Sequence, residues 1–191
     1  PILVLIVHQT LFFGINMLQG TAREENKEVF ILPGRKRRYS VFRLLLGRGA
    51  AYFVLYMAIG AFGMILVPRW FDLPCMAAVG DILRFMVPFL LATIYFSIFF
   101  ASFKKERETG MVTMLFSSLI FFFVSGVSWP LESMNPVWKW LGGWLPSTWG
   151  MHGYVHMQSM GASLTATSHE YYMLGLLAAF YFLACLVLFA V

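Results

Sequence analysis

The sequence predicts an all-α polytopic membrane protein, with five transmembrane helices, a short cytoplasmic helix and an outer re-entrant helical hairpin. Three observations carry that reading. Five uncharged or nearly uncharged apolar stretches each run for about 20 residues, the length a helix needs to cross the hydrocarbon core. The chain is 60% hydrophobic and only 12% charged, with mean hydropathy +0.74, whereas charged residues make up about a quarter of a soluble domain. Eleven of the fourteen lysines and arginines fall in two segments, Thr21 to Arg48 and Lys104 to Arg107, which therefore lie in the cytoplasm.

The first span covers residues 1–20, and its polar members His8, Gln9, Thr10, Asn16 and Gln19 show that part of its surface faces protein or water. The cytoplasmic loop 21–48 follows. The second span, 49–67, is uncharged and rich in small residues (Gly49, Ala50, Ala51, Ala58, Gly60, Ala61, Gly63), which admits close helix packing. After a short outer turn from Pro68 to Pro74, the third span covers 85–103, with Pro88 one turn inside it and Arg84 snorkelling at its outer end. A second cytoplasmic loop, 104–110, leads to the fourth span, 111–127, ended by Ser125-Gly126 and Trp129-Pro130. The outer segment 128–170 precedes the last span, 171–191. This topology puts all six tryptophans on the outer side, where amphipathic rings suit the headgroup level.

Within the first loop, Thr21 to Glu24 fits a capping box, so a short helix is expected to start at Thr21, run through Phe30 and stop at Pro33-Gly34. On spacing alone an ordinary solvated loop with helical character is the favoured reading. Arg35, Lys36, Arg37 and Arg38 form a run of cations suited to anionic lipid headgroups. Ser40 to Arg48, with five apolar residues around Arg43, reads as an interfacial helix lying on the bilayer.

In the outer segment, Asn135-Pro136 is a helix start, an N-cap followed by proline at the first helical position, and that helix ends near Gly142-Gly143. A second short helix starts at Pro146 and runs to Met160, with Gly161 as its C-cap. Entered through Gly126 and Pro130 and carrying Trp138, Pro146 and Trp149, the two helices read as a re-entrant hairpin. His152 and His156 share one helix face at a spacing used for zinc, but no glutamate follows the first histidine and no third ligand is close in sequence. His169 and Glu170 are the residues that could approach in space. The reading is a wet interfacial helix and no metal.

Cys75 and Cys185 sit at different depths and do not suit a disulfide. The basic balance of +5 lies beside apolar spans and no nucleic-acid recognition fold accompanies it, so nucleic acid is not an expected partner. No Asp, Glu, Lys or Arg lies inside the expected spans, unlike ion-coupled transporters, and no phosphate-binding loop is present. Energy for uphill movement would therefore enter through a separate ATPase. No catalytic residue is expected either, because His152, His156, His169 and Glu132, the only candidates for an enzyme embedded in the membrane, are scattered. A channel or a non-transporting assembly subunit without an ATPase is the alternative.

The order of features resembles the membrane-spanning permease subunits of bacterial type-2 ATP-binding cassette (ABC) exporters. The residues that carry the resemblance are Gly20 to Glu28, Leu46-Gly47-Arg48, Ser125 to Met134 and Leu145 to Thr148. The resemblance implies that Arg23, Glu24, Glu25, Asn26, Lys27 and Glu28 form the coupling helix seated in the ATPase subunit, and that residues 127–160 form the outer hairpin. It implies partners as well: an ABC ATPase subunit, a second permease copy or paralogue completing a dimer, membrane lipid and a periplasmic adaptor. ATP and magnesium would be held by the ATPase, with no cofactor in this chain. The place is the bacterial cytoplasmic (inner) membrane, and the cargo is hydrophobic or amphipathic. The chain begins without methionine and ends inside an apolar run, which reads as part of a longer polypeptide with a preceding helix and an extracytoplasmic domain. Leu32-Pro33-Gly34 departs from relatives, which follow the coupling helix with proline and small polar residues.

Overall fold

A computed structural model describes residues 2–24, 38–72, 76–103, 107–126 and 134–190. Among these residues there is helix and no strand, because a chain of this hydropathy satisfies its backbone within each segment. The elements are α1 (Ile2–Glu24), α2 (Arg38–Ala61), a π-turn (Phe62–Leu66), α3 (Val67–Trp70), α4 (Val79–Ser102), α5 (Arg107–Val124), α6 (Pro136–Gly143), α7 (Pro146–Met160) and α8 (Ser168–Ala190). Four stretches among the described residues are long and apolar enough to cross a membrane: Ile2–Ala22, Val41–Trp70, Val79–Ser102 and Ser168–Phe189. α5, at the place of the expected fourth span, is an 18-residue helix lying along α1.

α4 is the central post, 72% buried over its apolar window against 17% for the α2 stretch and 22% for α8. Phe85, Met86, Phe89, Leu90 and Phe96 are buried along it, and α1, α2, α7 and α8 pack around it. Its polar side chains are spent locally: Thr93 donates to the Phe89 carbonyl at 2.8 Å, Ser97 to Thr93 at 2.6 Å and Ser102 to Ile98 at 2.7 Å. The helix begins at Val79, six residues before the expected start, with Asp81 in its first turn facing the helix dipole and reaching Arg84 at 4.0 Å. Pro88 therefore lies well inside the helix rather than one turn from its end.

Three other expectations are corrected. Thr21 does not cap a new helix, since residues 21–24 continue α1, and Gly20 alone is too weak a breaker to stop it. Ser40 to Arg48 is not a separate surface helix but the first turns of α2, whose Leu45 is buried in the bundle. The second span does not end at Val67. It passes through Pro68 to Trp70 because the π-turn widens the helix just before the proline, relieving the clash of its ring with the carbonyl four residues back.

α7 is driven into the bundle against α4. Gly150 lies over the Phe89 ring and Gly153 over the Phe85 ring, so close that a β-carbon at either glycine would overlap the aromatic carbons. Gly153→Ala is expected to lower stability by about 1–3 kcal/mol through overpacking, read as a lower melting temperature in detergent, whereas the same change at Gly143, which has open space beside it, should cost less.

Candidate functional site

On α1, His8, Phe12, Asn16 and Gln19 follow a spacing of four, four and three residues and so share one face. His8 is fully buried, its ring 5.2 Å from Phe121 of α5 and 5.5 Å from Phe96 of α4. Neither imidazole nitrogen has a hydrogen-bond partner among the described residues. Asn16 gives its amide to the Phe12 carbonyl at 2.6 Å and leaves its oxygen unpaired, as does buried Gln19. Thr10, by contrast, is exposed and bonds back to the Ile6 carbonyl at 2.9 Å. The polar stripe therefore spans roughly 16 Å of helix axis, facing α4 and α5 with unspent hydrogen-bonding capacity. Inside a bilayer such groups are costly and face either a partner helix or a water-filled path.

Sequence reasoning identified the polar α1 residues, and named Ser147 and Thr148 only as part of the Leu145 to Thr148 motif, not as buried polar groups. Both hydroxyls are buried without a partner in the first turn of α7, and Thr148 lies near Gly142 and Val124. Their position just inside a proline-started helix, where backbone donors are free, is the signal that could have singled them out.

The hairpin is held by hydrogen bonds that reach across it. The Asn135 side chain accepts from the Val137 amide at 3.1 Å as the predicted N-cap of α6. Pro146 opens α7 and is buried, and Gly161 closes it at φ 64°, with Gly161 N donating to Met157 and Ala162 N to His156. Trp149 donates its indole N–H to the Gly143 carbonyl at 2.9 Å, and Tyr181 of α8 its hydroxyl to the Trp144 carbonyl at 3.0 Å. Gly126 sits after α5 at φ 83°, and Pro130 lies outside the described residues. Trp138 is half exposed and, with Leu119, Ile120, Phe123, Val124, Met134 and Asn135, lines an apolar cavity of about 430 Å³ between α5 and α6.

His156 Nδ1 lies 3.1 Å from Glu170 Oε1, joining α7 to the start of α8, while the His152 ring sits 6.4 Å from that of His156. His169 is turned edge-on to Trp149 at 5.3 Å. Among the described residues no group of three or more His, Cys, Asp or Glu side chains is placed to hold a metal ion.

Of the expected coupling segment, Arg23 belongs to α1 and Glu24 ends it with an exposed side chain. Glu25, Asn26, Lys27 and Glu28 lie outside the described residues, as do Arg35, Lys36 and Arg37, and Arg38 is the first residue of α2. Of them, Arg23 and Glu24 at the end of α1 and Arg38 at the start of α2 are not brought together with the hairpin, whose α7 meets those helices near Val4 and Met64.

A bundle of long apolar helices with a polar stripe inside it and a hairpin wedged against α4 is a polytopic membrane protein. Residues 2–187 match the family described as ABC-2 family transporter protein, and the chain belongs to that family. It is a permease subunit of an ABC transporter, whose ATPase is a separate partner. No curated protein and no solved structure matches the chain.

α7 lies outside the four spanning stretches, and burial holds the His152 imidazole below its ordinary value, with His156 pressing the same way and Glu170 opposing. The unfolded chain then binds this proton more readily, so its contribution is intact above about pH 6.5 and is lost as pH falls below that value. Melting temperature should decline on acidification from about pH 7.5 to 5.5, and His152→Gln should flatten that decline.

Proposed function

We propose that the chain is half of a dimeric ABC exporter that moves hydrophobic or amphipathic cargo outward across a bacterial cytoplasmic membrane. The buried stripe of His8, Asn16 and Gln19 carries this reading. Polar atoms left unpaired between apolar helices are the residue types that meet the polar part of a cargo when α1 and α5 separate, while the surrounding Phe12, Phe96 and Phe121 suit its apolar part. The cavity between α5 and α6 adds a lipid-like surface on the outer side. In this reading Arg23 to Glu28 seat the permease in the ATPase, which holds ATP and magnesium. Arg35 to Arg38 contact anionic lipid, and the outer segment 128–170 meets a periplasmic adaptor. Closure of the ATPases pushes on the loop joining α1 to α2 and tilts both helices to switch access.

Two outcomes follow. The full-length protein purified in mild detergent should retain a stoichiometric ATPase subunit, and the Glu24→Arg, Glu25→Arg double variant should lose it. Absence of an ATPase under all conditions would instead support a channel or assembly subunit. His8→Phe removes a buried unsatisfied imidazole and should raise stability by about 1–3 kcal/mol, while lowering ATP-driven movement of a fluorescent amphiphile into the lumen of inside-out vesicles. Unchanged movement in that variant would remove the stripe from the path.

A further inference from the structure

The helix that begins at Arg38, at the cytoplasmic loop, continues without interruption to Trp70, and its apolar stretch of 30 residues crosses the whole bundle. Its regular hydrogen bonding changes at the π-turn, where Val67 N donates to the Phe62 carbonyl five residues back. The cause lies one residue further on. Pro68 has no N–H, so the Met64 carbonyl four residues earlier cannot receive the bond an α-helix would supply.

That carbonyl receives one from another part of the chain. Tyr154 of α7, fully buried, donates its hydroxyl to Met64 O at 2.8 Å across 90 residues of sequence. Met64 is itself fully buried, so water is not an alternative donor on the outer face. A second tie lies close by: Met76 N, in the connection from α3 to α4, donates to the Gln158 carbonyl of α7 at 3.3 Å. At the same level the terminal methyl of Met86 on α4 packs over Gly60.

We propose that the π-turn before Pro68 is a joint in the second span and that the Tyr154 hydroxyl is the catch that passes movement of this span to the outer hairpin. The inference rests on the exporter reading above. Closing a π-turn to α-helical spacing turns the helix beyond it by about 100° and shifts it by about 1.5 Å relative to the helix before it. Because the Met64 carbonyl accepts from Tyr154 in place of the donor that Pro68 lacks, such a step pulls directly on α7. Tyr154 is thus a positioning residue, and Pro68 makes the carbonyl available to it.

The test uses the full-length permease reconstituted in nanodiscs with its ATPase subunit. With Cys75→Ser and Cys185→Ala, spin labels are placed at exposed Met160 on α7 and Tyr172 on α8. Distances are measured by double electron-electron resonance without nucleotide and after trapping with ATP, magnesium and orthovanadate. The label-to-label distance should shift on trapping in the otherwise wild-type protein. Tyr154→Phe keeps the ring and loses the catch, and Pro68→Ala restores the helix's own donor. Both should lose the shift while ATP hydrolysis continues. A complex that hydrolyses ATP with no shift, or variants that shift as the wild type does, would overturn the joint, and a merely structural bond would lower melting temperature yet leave the shift in place. A complex that does not hydrolyse ATP would overturn the exporter reading and the joint with it.

Discussion

Packing against α4 is the constraint on which the other elements depend. A spanning helix in lipid gains nothing from hiding apolar surface, because lipid tails are as apolar as its neighbours, so helices associate where their surfaces fit closely. α4 supplies that surface with Phe85, Phe89 and Phe96, and its neighbours answer with small residues: Gly150 and Gly153 on α7, Gly60 on α2 opposite Met86, and Gly49 on α2, whose β-carbon would stand 2.7 Å from the Tyr95 hydroxyl. The serine and threonine hydroxyls of α4 are returned to its own backbone, which leaves the post with little polar demand on its partners.

The polar demand is concentrated elsewhere. On α1 it takes the form of His8, Asn16 and Gln19, and at the start of α7 of Ser147 and Thr148, all buried with unpaired atoms. A core selected only for stability would replace these side chains by apolar ones of similar size. His8 lies among the aromatic cluster of Phe12, Phe96 and Phe121, so the seam between α1, α4 and α5 combines close ring packing with polar atoms that gain nothing from it.

The α6–α7 hairpin shows how far short-range chemistry reaches. Asn135-Pro136 and Gly161 set the ends of α6 and α7 because an N-cap acceptor, a proline and a left-handed glycine act within a few residues. The same local rules failed at Thr21 and at Ser40. There the competing outcome was continuation of a neighbouring helix, and the length of α1 and the burial of Leu45 on α2 decided it. In sequence Pro68 marks the end of a span, because proline usually ends a helix, yet the helix crosses it by adopting a π-turn.

By itself the sequence determined the helical membrane class and the hairpin's caps, because hydropathy and capping depend on residues near one another along the chain. It also showed that α1 is polar on part of its surface. Only the tertiary structure decided that His8, Asn16 and Gln19 face inward while Thr10 faces out, that α4 is the post, and that Tyr154 meets Met64. Those facts depend on how helices distant in sequence are rotated and seated against each other, and ring-into-glycine fit sets that rotation through contacts that no single segment contains.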